Sequence, residues 1–222
     1  MLAGGFGTRL RPVISGYPKT MAPVRERPFM EYVMKWLASF QVNKIVLSVG
    51  FMSEIIKTYF KNEFKGIPIE YSFESEPLGT GGAIMRSLEH IQTENVLVIN
   101  GDTYFPVDIE KFRLGHAAMS GVITVALKKM SAPDRYGTVI LDKEENIVQF
   151  HEKRFQKEGL INGGIYMINL KFLRSLDLPA KFSFEREILE NTAGNNIKGM
   201  IFEDQFIDIG IPEDYFKAEK AL

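Results

Sequence analysis

Val96-Leu97-Val98-Ile99-Asn100, followed by Gly101-Asp102, is a short apolar run that ends on a turn and an acid. Its length suits a strand, and apolar side chains on both faces suit a strand of a parallel sheet covered by helices. Lys44–Val49, with the sequence Lys-Ile-Val-Leu-Ser-Val, reads the same way. Before it, Phe29, Tyr32, Val33, Trp36, Leu37 and Phe40 recur at helical spacing, and Ile55, Ile56, Tyr59 and Phe60 repeat the pattern after it. Strands alternating with amphipathic helices predict an α/β sheet with crossover helices. Trp36, inside such a stripe, reads as core rather than as a ligand platform.

From Gly121 the texture changes. Val122–Leu127, Thr138–Leu141, Ile147–Phe150 and Ile165–Ile168 read as strands with little helix between them, a β-rich region suited to recognising a second substrate. A short helix over Phe184–Asn191, a strand pair (Lys198–Phe202 and Phe206–Ile209) and a last helix from Pro212 are expected to follow. No repeat of 20–50 residues and no linker interrupts the chain, so a single domain over 1–222 is expected. Only Met1-Leu2-Ala3 precede the first glycines, whereas a mean strand has roughly 5–6 residues. A central strand there would be clipped or begun further upstream.

Composition excludes several classes. The 222 residues are 45% hydrophobic and 25% charged, which suits a soluble globular protein able to bury its core without staples. There is no cysteine, hence no disulfide framework and no thiolate metal site. A net charge of −1, with no run of five like charges, argues against a nucleic-acid surface. No stretch approaches the ~18 apolar residues of a membrane span, and the early glycines exclude a signal-peptide apolar region. A cytoplasmic location is expected, with neither membrane nor nucleic acid as partner.

Gly4-Gly5-Phe6-Gly7-Thr8-Arg9-Leu10-Arg11-Pro12 carries the chemistry. Glycines allow backbone amides to approach one phosphate chain closely. The loop is not a dinucleotide fingerprint, because Leu10 stands where the third glycine belongs, and it is not a P-loop, because no glycine precedes Lys19. A plain tight turn would explain two glycines but not Arg9, Arg11 and Lys19 together. Lys19 lies in Pro18-Lys19-Thr20-Met21-Ala22-Pro23-Val24, an extended connection.

Leu2-Ala3-Gly4-Gly5-Phe6-Gly7-Thr8-Arg9-Leu10, Pro18-Lys19 and Pro23-Val24 together resemble the signature of the bacterial nucleotide-sugar pyrophosphorylases, the sugar-1-phosphate nucleotidyltransferases. Further matching motifs follow in order: Pro77-Leu78-Gly79-Thr80-Gly81-Gly82-Ala83, Asn100-Gly101-Asp102, Tyr136-Gly137, Glu152-Lys153, Asn162-Gly163-Gly164-Ile165-Tyr166 and Asp208-Ile209-Gly210. The resemblance implies a Rossmann-like three-layer α/β/α fold with a mixed, mainly parallel sheet and a β-rich sugar-binding region. It assigns residues 1–120 mainly to the nucleotide and 121–222 mainly to the sugar phosphate. Within the family, this short form is most similar to the guanylyltransferases of D-glycero-α-D-manno-heptose 1-phosphate, which implies GTP and that sugar phosphate as substrates. A homodimer is compatible with the resemblance.

For the site, the resemblance implies catalytic roles for Arg9, Lys19 and Asp102. It implies nucleotide contacts from Leu2, Ala3, Gly4, Gly5, Gly7, Thr8, Arg9, Glu74, Pro77, Gly79, Thr80 and Gly101. Gly137, Glu152, Lys153, Asn162, Gly163 and Glu185 would meet the sugar phosphate. Asp102 and Asp208 both follow short apolar strands, and paired carboxylates on strand ends suit Mg²⁺. A lone acid in such a place is more often a turn or helix cap; the resemblance favours the metal. Glu74 would read guanine, whose two donors match a carboxylate. Arg11 has two readings, a phosphate contact or a solvent-facing side chain. Glu185 is equally explained by capping around Ser183. Asp204 and Asp214 read as turn and helix-start residues, and His90, His116 and His151 as structural or surface residues. A mannose-1-phosphate guanylyltransferase, an amino-sugar uridylyltransferase and a non-catalytic nucleotide-sugar sensor remain alternatives.

Overall fold

The computed structural model describes residues 1–133, 135–151, 157–192 and 196–222. A hairpin of β1 (Pro23–Val24) and β2 (Arg27–Pro28) leads into α1 (Phe29–Leu37), β3 (Ile45–Val49) and α2 (Ser53–Phe60). Next come β4 (Glu63–Phe64), β5 (Ile67–Phe73), α3 (Gly79–Ser87), β6 (Asn95–Ile99), β7 (Thr103–Tyr104) and α4 (Ile109–Met119). The β-rich part holds β8 (Ile123–Ser131), β9 (Thr138–Leu141), β10 (Ile147–His151) and β11 (Glu158–Asn169). It is followed by α5 (Leu170–Ser175), a π-helical segment Phe184–Glu190, β12 (Ile197–Phe202), β13 (Ile207–Asp208) and α6 (Pro212–Ala221).

β3 lies parallel to β5, and Leu2 makes parallel bridges to Ser48 at β3 and to Asn100 beyond β6. The residues before the glycine loop therefore act as a central strand despite their brevity. β6 pairs antiparallel with β11, β11 antiparallel with β8, and β8 parallel with β12. Along this path only β11 runs against the common direction, which gives the expected mixed, mainly parallel sheet. The β9–β10 hairpin extends it on the far side of β11.

Pleating divides the core. Val98, Val125, Tyr166 and Ile168 face α3, α5 and the Phe184–Glu190 segment. Ile99, Ala126, Ile165 and Met167 face α1, α4 and α6. Helices thus cover both faces of the sheet, the three-layer arrangement expected. Trp36 is core, 7% exposed, and its indole N–H donates to the Val107 carbonyl at 3.1 Å. His116 is buried against Thr124, and burial pushes its pKa down. No helix among the described residues is long and apolar enough to cross a membrane.

Two expectations need correction. Lys198–Phe202 and Phe206–Ile209 do not pair with each other: β12 joins β8, whereas β13 joins β7. Ile165–Ile168 is only the end of a 12-residue strand. Gly163 and Gly164, which hid its continuity, sit where its register with β8 shifts between Asn162 and Tyr166. There Gly164 takes a positive φ of 72° against the Asn100 side chain.

Candidate active site

The site forms beyond the carboxyl ends of β3, β5 and β6, where open α/β sheets bind ligands. Gly7, at φ 57°, opens a turn in which its carbonyl accepts from the Leu10 and Arg11 amides. A Cβ at Gly7 would lie 2.6 Å from the Lys19 Cβ, so the absence of a side chain there lets Lys19 approach the loop. Gly5 differs: a Cβ there would meet nothing within 4 Å, so packing does not require this glycine and the loop stays open. Thr8 and Arg9 are exposed.

Lys19 begins a 3₁₀ turn (Lys19–Met21) behind the extended Pro18. Its ammonium lies 2.5 Å from Asp102 Oδ2 and 3.8 Å from Asp208 Oδ1. The two acids, far apart in sequence, meet because β13 pairs antiparallel with β7, setting Asp208 opposite Thr103. The Ile209 amide donates to the Asp102 carbonyl at 3.1 Å, and the Gly210 amide donates to Asp208 Oδ1 at 2.7 Å. Burial and the neighbouring Asp102 charge raise the pKa of Asp208, opposed by Lys19 and the Gly210 amide. Tyr136 hydrogen-bonds Asp208, and burial followed by that charge pushes its phenol up. Arg9, Arg135, Tyr136, Asp208, Gly210, Ile211 and Asp214 enclose a recess of about 250 Å³. Arg135 is held there by Asp214 at 2.5 Å, so Asp214 does more than start a helix.

Glu74 continues from β5, its amide donating to the Val49 carbonyl at 2.8 Å. Its Oε1 accepts from the Ser48 hydroxyl at 3.1 Å and its Oε2 from the Leu78 amide at 3.2 Å. A Cβ at Gly4 would lie 2.6 Å from Oε1, so Glu74 lies directly against the loop. Arg11 is exposed, and its guanidinium lies 4.6 Å from the Phe51 ring centre and also covers Phe6.

The nucleotide and sugar assignments blur at α3. Cβ atoms at Gly79 and Gly81 would run into Phe182, and one at Gly82 into the Ala180 carbonyl, so packing already requires these glycines. Thr80 donates to Glu185 Oε2 at 2.6 Å and accepts from the Phe184 amide at 2.9 Å. Glu185 also accepts from Ser183 at 2.8 Å and lies 3.5 Å from the Tyr166 hydroxyl, which accepts from Asn162 at 2.9 Å. Ser183 caps the helical segment by accepting from the Arg186 amide. The structure therefore joins Thr80, expected at the nucleotide, to Glu185 and Asn162, expected at the sugar, through the buried Tyr166.

Other expected residues are placed with less definition. Leu2 and Ala3 spend backbone groups in the sheet: the Leu2 amide donates to Ile99, its carbonyl accepts from Gly101, and the Ala3 amide donates to Ser48. Gly101 is packed under that Leu2 carbonyl, at 2.6 Å from where its Cβ would stand. Gly163 packs against Phe105 and the Ala126 carbonyl, which leaves no open space beside it. Pro77 and Gly137 are exposed. Glu152, Lys153 and the side chain of His151 lie outside the described residues. Among the described residues no three of His, Asp and Glu converge as a metal cage. Two larger hollows, about 740 and 880 Å³, lie away from the Lys19 cluster; size does not mark the chemistry.

The Nucleotidyl transferase family matches this chain over residues 1–222. The chain belongs to that family. As a nucleotidyl transferase it is 45% identical over 216 residues to the D-glycero-alpha-D-manno-heptose 1-phosphate guanylyltransferase of Campylobacter jejuni, covering 97% of this chain and 96% of that one. It is also 45% identical to the enzyme of the same name from Aneurinibacillus thermoaerophilus, covering 100% of this chain and 96% of the other. Its fold is similar to the crystal structure of HddC from Yersinia pseudotuberculosis complexed with GMP-PN. The TM-score is 0.88 at 34% identity, covering 99% of this chain and 96% of that one.

Proposed function

We propose that this nucleotidyl transferase joins GTP to D-glycero-α-D-manno-heptose 1-phosphate, releasing pyrophosphate and forming GDP-heptose for bacterial surface glycans. The observation that carries the reading is the convergence of Lys19, Asp102 and Asp208 beside an open glycine loop. The base and the sugar are supported by the names of the two 45%-identical relatives.

In this reading a sugar-phosphate oxygen attacks the α-phosphorus in line and pyrophosphate leaves. A phosphate monoester is already nucleophilic at neutral pH, so catalysis reduces to positioning and charge neutralisation. Gly4, Gly5, Gly7 and Thr8 line the approach of the triphosphate. Arg9, exposed at the recess, meets the leaving pyrophosphate, and Lys19 lies within reach of the α-phosphate. Gly137, Asn162 and Glu185 serve the sugar, a role that the motif resemblance also gives to Glu152 and Lys153.

Asp102 and Asp208 fit Mg²⁺: two hard carboxylates, one in the turn before β7 and one in β13, already converge on one positive group, the Lys19 ammonium. A bound cation would supply charge neutralisation on the phosphates. The deciding experiment measures pyrophosphate release with four nucleoside triphosphates against a panel of sugar 1-phosphates, with and without chelator. GTP with the heptose phosphate should be the best pair, and chelator should abolish it. Full activity in chelator, or a better pair of another base and sugar, would refute the corresponding part.

A further inference from the structure

Lys19 is held at both ends. Its stem packs against the backbone of Gly7, where a Cβ would come within 2.6 Å, and its side chain is only 12% exposed. Its ammonium stands 2.5 Å from one carboxylate and 3.8 Å from the other. Among the described residues the acids have few other partners. Asp102 Oδ1 has the Thr103 hydroxyl at 3.4 Å, Asp208 Oδ1 has the Gly210 amide at 2.7 Å, and the Tyr136 phenol hydrogen-bonds Asp208. Among the described residues Lys19 thus supplies the nearest full positive charge to both.

We propose that Lys19 is the resident counterion of the Asp102–Asp208 pair and yields its place to a divalent cation only when a triphosphate arrives. The inference rests on the reading of these two acids as cation ligands. A divalent ion and an ammonium on the same carboxylate oxygens repel each other and claim the same lone pairs. A divalent ion held by both acids would stand close to the ammonium, which now lies 2.5 and 3.8 Å from them, and repulsion between the two positive charges would favour its displacement. The exchange needs only rotation of a flexible four-carbon stem whose donors are not committed to one geometry. The glycine loop that packs on that stem is the one that receives phosphates, so a bound triphosphate offers the ammonium a new acceptor at short range. The free enzyme then keeps the pair of adjacent acids partly neutralised without metal, and cation and triphosphate bind with mutual reinforcement.

Mn²⁺ binding to the intact protein, followed by electron paramagnetic resonance, tests this. Measurements are made with and without a non-hydrolysable GTP analogue and corrected for cation held by the analogue alone. Native protein without analogue should bind Mn²⁺ weakly, and Lys19→Met should bind it at least ~10-fold more tightly, because a single charge is removed at contact distance. Adding analogue should tighten the native protein much more than Lys19→Met. Lys19→Gln, which keeps a donor toward Asp102, should also tighten cation binding, and Mn²⁺ should raise the melting temperature of both variants more than that of the native protein. Equal or weaker binding by both folded variants without analogue overturns the counterion role. Asp102→Asn separates the two readings. If it weakens analogue-dependent Mn²⁺ binding while the lysine variants behave as native, the cation ligands stand and the counterion falls. If it changes nothing, the ligand assignment falls and takes this inference with it.

Discussion

Glu74→Gln is the sharpest test of base choice, because the structure separates its local cost from its effect on a nucleotide. Each Glu74 oxygen already accepts one hydrogen bond, from Ser48 or from the Leu78 amide, and a carboxylate oxygen can accept another. In the variant, the amide oxygen keeps the Leu78 N–H, and the new NH₂ turns to Ser48, whose hydroxyl rotates to accept. The local loss is then one neutral-for-charged exchange, about 1 kcal/mol or less. Guanine's ring N–H and exocyclic amine would instead meet a donor where an acceptor stood, a mismatch of about 1–3 kcal/mol. The kcat/KM ratio of GTP to UTP should fall roughly 5- to 150-fold, with the melting temperature nearly unchanged. The assay is pyrophosphate release with each nucleotide at saturating sugar phosphate. If both nucleotides lose equally, or UTP is already preferred by the native enzyme, Glu74 is only a brace for the Leu78 turn.

Arg9→Ala should reduce kcat by ~100-fold or more with little change in stability, because an exposed side chain at a recess contributes little to a core; a lowered melting temperature at near-native turnover would contradict this. Gly79→Ala should destabilise by roughly 2–4 kcal/mol in denaturant titration, since φ is 74° and the new methyl meets the Phe182 carbonyl. Burial opposes ionisation of Glu31, but hydrogen bonds from Lys35, Tyr59 and Arg27 prevail and hold its pKa down to about 2. The folded pKa lies below the unfolded value of 4.5, so this stabilisation, roughly 3 kcal/mol, is present above pH 4.5 and lost as pH falls toward 2. Glu31→Gln should flatten stability over that window, measured by urea titration at several pH values.

The sheet was legible because its strands carry unbroken apolar runs: Val96–Asn100 and Lys44–Val49 fall almost where β6 and β3 do. Helix α3 left little trace, since Gly79-Thr80-Gly81-Gly82 is poor helix-forming sequence whose glycines answer to Phe182 and Ala180. The partnership of β13 with β7 was equally hidden, because two-residue strands have no periodicity to read. In the site, the motifs located Lys19, Asp102 and Asp208, but no spacing rule announces that the lysine lies between the acids. Arg135 and Asp214 also escaped functional notice, because their ion pair joins a loop in the β-rich region to the start of α6. The cation–ring contact of Arg11 with Phe51 likewise joins separate loops and carries no local signal.

The β7–β13 ladder also bears on when the enzyme comes alive. Asp208 reaches Asp102 only when one of the last strands of the chain docks on a short strand from its middle. Such long-range pairings are costly in loop-closure entropy and tend to form late. A nascent chain or a fragment ending before β13 would hold the glycine loop, Lys19 and Asp102 while lacking the second acid. On the proposed roles of the two acids, such a chain could not complete the charge cluster, and turnover should begin only once β13 has docked. Two separately expressed fragments divided between β12 and β13 should regain activity only as they reassociate, which makes this small ladder a built-in reporter of completed folding.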